Sequence, residues 1–303
     1  MSAPLDSTPR DSAPHDSAPH DGAPLVIDAH HHLWTADYPW LASKPEFAPI
    51  RRDYGVADLR ANLKQAGVDR TILVEAGWGH PSETVEFLHL AGAVEEIAGV
   101  VGHIDLLDSG LANTLARYAN HPRARYLVGV RDQVQDRPDP DFLARPEVIA
   151  ALTTVAASVP TFDLIVRVDQ LPAAAVAAAA VPGLGFVLDH LGKPQVKDGS
   201  SGLREWWDAV APLAKQPNVT AKLSGLVTEA DWHRWTPADL RPFVQAALEL
   251  FGPDRLMFGS DWPVCELAAT YTRVKDALSE VLGRNDPDVF GGTAARTYRL
   301  GVQ

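Results

Sequence analysis

The chain has 303 residues, 46% of them hydrophobic, with 39 acidic against 27 basic side chains and a formal net charge of -12. That balance opposes binding to a nucleic-acid backbone or an anionic membrane surface, and the single cysteine, Cys265, excludes an intrachain disulfide framework and a thiolate metal cage. No segment reaches the ~18 unbroken apolar residues of a membrane span and the N-terminus has no signal-peptide pattern, so a soluble cytoplasmic protein is expected.

Residues 1–23 repeat Asp-Ser-Ala-Pro-His and offer no cluster of large apolar side chains to bury, which predicts a disordered low-complexity tail. Residues 24–303 are expected to form one domain. After the apolar run Leu25-Val26-Ile27 comes Asp28-Ala29-His30-His31-His32-Leu33-Trp34. Strand alternation sends His30 and His32 to one side and His31 to the other. Trp34 to Tyr54 is a long aromatic and proline-rich loop, of the kind that folds over a site.

From there short apolar runs alternate with segments of helical period. A helix with Val56, Leu59, Leu63 and Ala66 on one face stops at Gly67. Strand two is Thr71 to Glu75, and its helix starts near Pro81. Strand three is Gly99 to Ile104; strand four, Tyr126 to Val130, ends in Arg131 and Asp132. Strand five is read as Phe162 to Val168, strand six as Gly185 to Asp189, strand seven as Val219 to Leu223 and strand eight as Leu256 to Gly259. Amphipathic helices follow each. Eight strand-then-helix units predict an α/β fold, a (β/α)8 TIM barrel with its chemistry at the C-terminal ends of the strands. An open doubly wound sheet is the runner-up, but no glycine-rich phosphate turn follows the first strand.

The polar residues at those ends are His30, His32, Glu75, Arg131, Arg167, His190, Lys193, Lys222, Ser224 and Asp261. Imidazoles, a carboxylate and cations around one cavity suit attack of water on a carbonyl. A serine nucleophile elbow is absent. Plainer readings stand beside this one: Asp261 as a helix cap, His190 as a loop-holding residue, Lys222 and Arg131 as paired charges inside the barrel, and Glu75 as a solvated side chain.

Val26-Ile27-Asp28-Ala29-His30-His31-His32-Leu33-Trp34, Leu188-Asp189-His190-Leu191-Gly192-Lys193-Pro194, Lys222-Leu223-Ser224-Gly225-Leu226 and Phe258-Gly259-Ser260-Asp261-Trp262-Pro263 together resemble the amidohydrolase superfamily. The closer likeness is to its amidohydrolase-2 branch, which contains L-fuconolactonase, L-rhamnono-lactonase and 2-pyrone-4,6-dicarboxylate lactonase. The resemblance implies that Asp261, His190, His30 and His32 carry the catalysis. It also implies a mononuclear divalent-cation site, commonly zinc, on His30, His32 and Asp261. Strand five lacks the further histidine that completes the ligand set in metal-using members, and strand four lacks the lysine of a carbamate-bridged pair of metals. The expected substrate is a small lactone, most plausibly sugar-derived, opened by an Asp261-activated water and held by Trp34, Arg131, Lys193 and Lys222. A lactone is reactive enough for the metal to be dispensable. A metal-dependent decarboxylase, an ester or amide hydrolase, and a catalytically silent binding protein are the alternatives. No partner beyond a small-molecule substrate is expected, neither nucleic acid nor membrane, and the sequence carries no signal for oligomeric state.

Overall fold

A computed structural model describes residues 24–301; the expected low-complexity tail lies outside the described residues. The strands are β1 (Ile27–His31), β2 (Arg70–Val74), β3 (Ile97–His103), β4 (Leu127–Asp132), β5 (Thr161–Leu164), β6 (Gly185–Leu188), β7 (Val219–Leu223) and β8 (Leu256–Phe258). They form one sheet in sequence order, and every adjacent pair is parallel. The chain just beyond β8 pairs with β1: His32 N donates to Trp262 O (2.7 Å) and Asp261 N to His30 O (2.8 Å). The fold is the expected (β/α)8 barrel.

The helices are α1 (Val56–Ala66), α2 (Pro81–Ala91), α3 (Leu111–Ala119), α4 (Pro146–Ala156), α5 (Leu171–Ala180), α6 (Ser200–Ala214), α7 (Pro237–Phe251), α8 (Tyr271–Leu282) and α9 (Thr293–Thr297). Their limits follow local chemistry. Gly67 ends α1 at φ 61°, a left-handed conformation that costs glycine little. At the start of α7, Asp239 accepts from Thr236 N at 2.7 Å and Pro237 fills the first turn.

β3 starts two residues earlier than expected, at Ile97, and β4 runs two residues further, to Asp132, but β5 and β1 hold the differences that matter for the site. β5 stops at Leu164, and Ile165 and Val166 stay buried without joining the sheet. An apolar run reads as strand whether its backbone pairs with a neighbour or dives beneath a loop. In β1 the strand runs on through His31. Its pairing with β2 slips between Asp28 and His31. Ile27 and Ala29 pack with Ile72, Val74, Val101, Val187 and Met257 inside the barrel. The bulge then turns His30 and His32 toward the barrel mouth and His31 outward, where its Nε2 meets Thr71 Oγ1 at 3.0 Å.

Candidate active site

Asp28 brings the two ends of the barrel together. Fully buried, its Oδ1 accepts from Ser260 N (2.8 Å) and its Oδ2 from Ser260 Oγ (2.6 Å) and Tyr271 OH (2.8 Å). The loop after β8 is thereby stitched to β1, and Asp261, at φ 56°, turns its carboxylate toward His30 and His32. His190 arrives from the loop after β6, in a left-handed run of His190, Leu191, Gly192 and Lys193 with φ between 52° and 74°. Strain of this kind persists only where its surroundings hold it. Gly225 (φ +64°) leaves the room: a Cβ there would stand 2.6 Å from His190 Nδ1.

The geometry at the centre is compact. His30 Nε2 and His32 Nε2 are 3.2 Å apart, and Asp261 Oδ1 lies 3.8 Å from the Nε2 of each of His30, His32 and His190. His30 Nδ1 bonds Asp189 Oδ1 (3.1 Å) and His32 Nδ1 bonds Val74 O (2.9 Å). Asp189 as a carboxylate and the Val74 carbonyl can only accept. A neutral His32 therefore carries its proton on Nδ1 and presents an Nε2 lone pair, whereas His30 Nδ1 stands between the Asp189 acceptor and the Lys222 ammonium, 3.1 Å away. His30, His32 and Asp261 converge with one ligand atom each, all within 4.8 Å of one another. Zinc-nitrogen bonds of ~2.0–2.1 Å in a tetrahedral site separate ligand atoms by roughly 3.3–3.4 Å, so this donor set fits a divalent cation. Burial pushes the His30 imidazole well below its ordinary pKa and lowers His190 to about 4, so both are neutral near pH 7. Burial works to raise the Asp261 carboxyl, but the His190 and His32 imidazoles outweigh it and hold it below the usual value.

Beneath the centre runs a buried ionic network. Lys222 Nζ donates to Asp163 Oδ2 (2.6 Å), with Asp189 Oδ1 at 2.9 Å, and lies 3.1 Å from His30 Nδ1. Arg131 reaches Asp189 Oδ2 (2.9 Å), Glu75 Oε1 (2.5 Å) and the Glu75 carbonyl (2.8 Å). These positions correct two expectations. Lys222 is fully buried and does not border the cavity, so it supports His30 from behind rather than touching substrate. Glu75 is likewise fully buried, the partner of Arg131 and Gln133 rather than a solvated side chain. Arg167 turns away to Asp169 (3.0 Å).

Above the centre opens a cavity of about 350 Å³. His32, His190, Asp261, Trp34, Arg131 and Lys193 all border it. Arg131 faces it with its charge matched by two carboxylates. The loop from Trp34 to Tyr54 forms one wall, as expected: Tyr54 N donates to Trp34 O at 2.9 Å to close its base, and Trp34, Trp40 and Phe47 pack edge-to-face along it. Gln133, Gln135, Thr228 and Glu229 also line the cavity, none anticipated from sequence. They are single polar residues in loops, with no periodicity to expose them.

One support of this wall titrates. Tyr38 OH donates to Glu83 Oε1 (2.8 Å), as does Ala76 N (2.9 Å), while Glu83 Oε2 is buried without a partner. Burial, then the nearby Glu75 charge, pushes the Glu83 carboxyl up to about 8. The native chain thus keeps a proton that the unfolded chain releases near pH 4.3, and native stability declines as pH rises between those values. Glu83→Gln is expected to abolish that slope, so that in urea melts its stability relative to wild type increases from pH 6 to pH 9. Parallel pH dependences would show that Glu83 ionises normally.

The family model described as Amidohydrolase matches residues 27–300. An L-fucono-1,5-lactonase of Burkholderia multivorans is 39% identical over 91% of this chain and 96% of its own length. An L-fucono-1,5-lactonase of Burkholderia ambifaria is 36% identical over 90% and 95%. A crystal structure of an amidohydrolase from Burkholderia multivorans with bound Zn superposes with a TM-score of 0.84 at 36% identity, covering 91% of this chain and 99% of that one.

Proposed function

This chain belongs to the amidohydrolase family, and from that premise we propose that it is a hydrolase opening a small, neutral, sugar-derived lactone to its hydroxy acid. The observation that carries this reading is the convergence of Asp261 with three imidazoles at a cavity lined by aromatic rings and amides. The relatives named as L-fucono-1,5-lactonases support the lactone class.

Asp261 takes the proton of the attacking water. It is the carboxylate among the centre's imidazoles, and its Oδ1 lies 3.8 Å from each of their three Nε2 atoms. His30, His32 and Asp261 would hold a divalent cation, which supplies Lewis acidity toward the carbonyl oxygen when bound. His190 borders the cavity beside Asp261 and faces the developing oxyanion from the β6 side. Asp189 and Lys222 both reach His30 Nδ1 and hold the ring in place, and Lys222 also pairs with Asp189. Trp34 and Lys193 bound the space for the ring. Arg131 is saturated by Glu75 and Asp189, and the other cations bordering the cavity, Lys44 and Lys193, are matched by Asp136 and Glu229, a balance that suits a neutral lactone.

A pH-indicator assay over a panel of sugar lactones and the open-chain methyl esters of the same acids tests the reading, with metal content measured on the same sample before and after a chelator. Hydroxylated lactones are expected to be opened in clear preference to the esters. Equal turnover of the esters would favour a general esterase. Carbon dioxide release from an aromatic acid, abolished by the chelator, would favour a decarboxylase.

A further inference from the structure

Glu229 is, with Asp136, one of two carboxylates that border the cavity and that the mechanism leaves unused. It stands in the loop after β7, where its backbone carbonyl accepts from Lys197 N at 3.1 Å and so fixes its place. Its side-chain oxygens make no hydrogen bond or ion pair with any described residue, and burial raises its pKa against the pull of the Lys193 and Lys197 charges. Lys193 uses one of its three donors on Gln135 Oε1, at 2.5 Å, which leaves others for a ligand. It also belongs to the left-handed run that sets His190. The distance from this polar wall to the chemistry is therefore fixed by the same turn.

A half-buried carboxylate without a donor is costly, and a cavity that keeps one is built for a ligand that brings hydroxyls. The Trp34–Tyr54 loop lines the cavity with the rings of Trp34, Trp40 and Phe47, beside Ser43 and Lys44. A saturated ring with one C–H face and one hydroxyl-bearing edge matches a lining of rings and polar side chains. We propose that Glu229, together with Lys193, reads a vicinal pair of ring hydroxyls, the carboxylate accepting from them and the ammonium donating to one. The enzyme thereby selects polyhydroxylated lactones over unsubstituted ones. The inference rests on the lactone reading above and names the specificity-determining residues of that same site.

The test compares L-fucono-1,5-lactone with δ-valerolactone, the same ring without hydroxyls, on wild type, Glu229→Gln and Glu229→Ala. Thermal melts verify folding. Wild type is expected to prefer the hydroxylated lactone in kcat/KM. In Glu229→Ala that preference falls ~10- to 100-fold, chiefly through KM, and in Glu229→Gln by less, since the amide still accepts. An equal loss on both lactones would overturn the proposal by making Glu229 part of the general machinery. An unchanged preference would overturn it by removing the hydroxyl contact. Failure of wild type to open either lactone, or any other in the panel, is a separate outcome that sinks the lactone reading itself and this proposal with it.

Discussion

Asp261→Asn is expected to lower kcat at least ~100-fold while the protein keeps its native melting behaviour, the loss characteristic of a missing general base. The amide nearly matches the carboxylate in shape but can neither take a proton nor balance charge at the imidazole cluster. The backbone holds position 261 independently: its N–H donates to His30 O at 2.8 Å and its carbonyl accepts from Cys265 N at 2.8 Å. The φ of 56° is one that asparagine tolerates as well as aspartate. Stability therefore survives and the chemistry does not. Because Asp261 faces the reacting carbonyl rather than the ring hydroxyls, KM should move much less than kcat. Near-wild-type kcat at saturating lactone would remove Asp261 from the reaction, and the variant's melting curve would confirm that the comparison is between folded proteins.

Much of this was legible in the sequence because periodicity reports burial. β7 begins and ends where apolar spacing puts it and α2 begins at Pro81, and His30, His32, His190 and Asp261 meet because a parallel barrel gathers the C-terminal ends of its strands. β5 was overextended because Ile165 and Val166 are as buried as any strand residue, though their backbone has left the sheet. The ionic network left a fainter signal. Asp163 sits between Phe162 and Leu164 in β5, and Lys222 between Ala221 and Leu223 in β7. A lone charge inside a buried strand demands an opposite one, and that pairing was available to sequence reasoning. Asp28 offered a similar clue, a buried carboxylate beside two histidines that stitches rather than catalyses. Glu229 and Gln135 offered none, since loop residues that read substrates follow no repeat.

Lys222→Met is the substitution expected to cost most in stability, about 3–5 kcal/mol, the range for breaking a buried ion pair from one side. The methionine fills similar volume, so the effect isolates the charge. In the wild type the Lys222 ammonium lies between Asp163 and Asp189, both fully buried. Asp189 retains Arg131 and His30 after the change, but Asp163 keeps only the Tyr298 hydroxyl, at 2.7 Å. Burial already pushes the Asp163 carboxyl up to about 6 against the pull of Lys222, and without the lysine it rises further. A carboxyl whose native pKa exceeds its unfolded value near 3.9 favours the native state at low pH and loses that contribution as pH rises through the native pKa. The deficit of Lys222→Met relative to wild type should thus be largest at pH 7–8 and shrink toward pH 5. Adding Asp163→Asn should restore much of the lost stability at neutral pH. Urea unfolding of the four proteins in that cycle, at pH 5 and pH 7.5, measures both effects. A deficit that ignores pH and is not relieved by Asp163→Asn would mean that Lys222 matters for packing and not for charge. In either variant the tautomer of His30 depends on Asp189 alone, so kcat read on the same samples reports whether the network beneath the centre also holds the imidazole in place for catalysis.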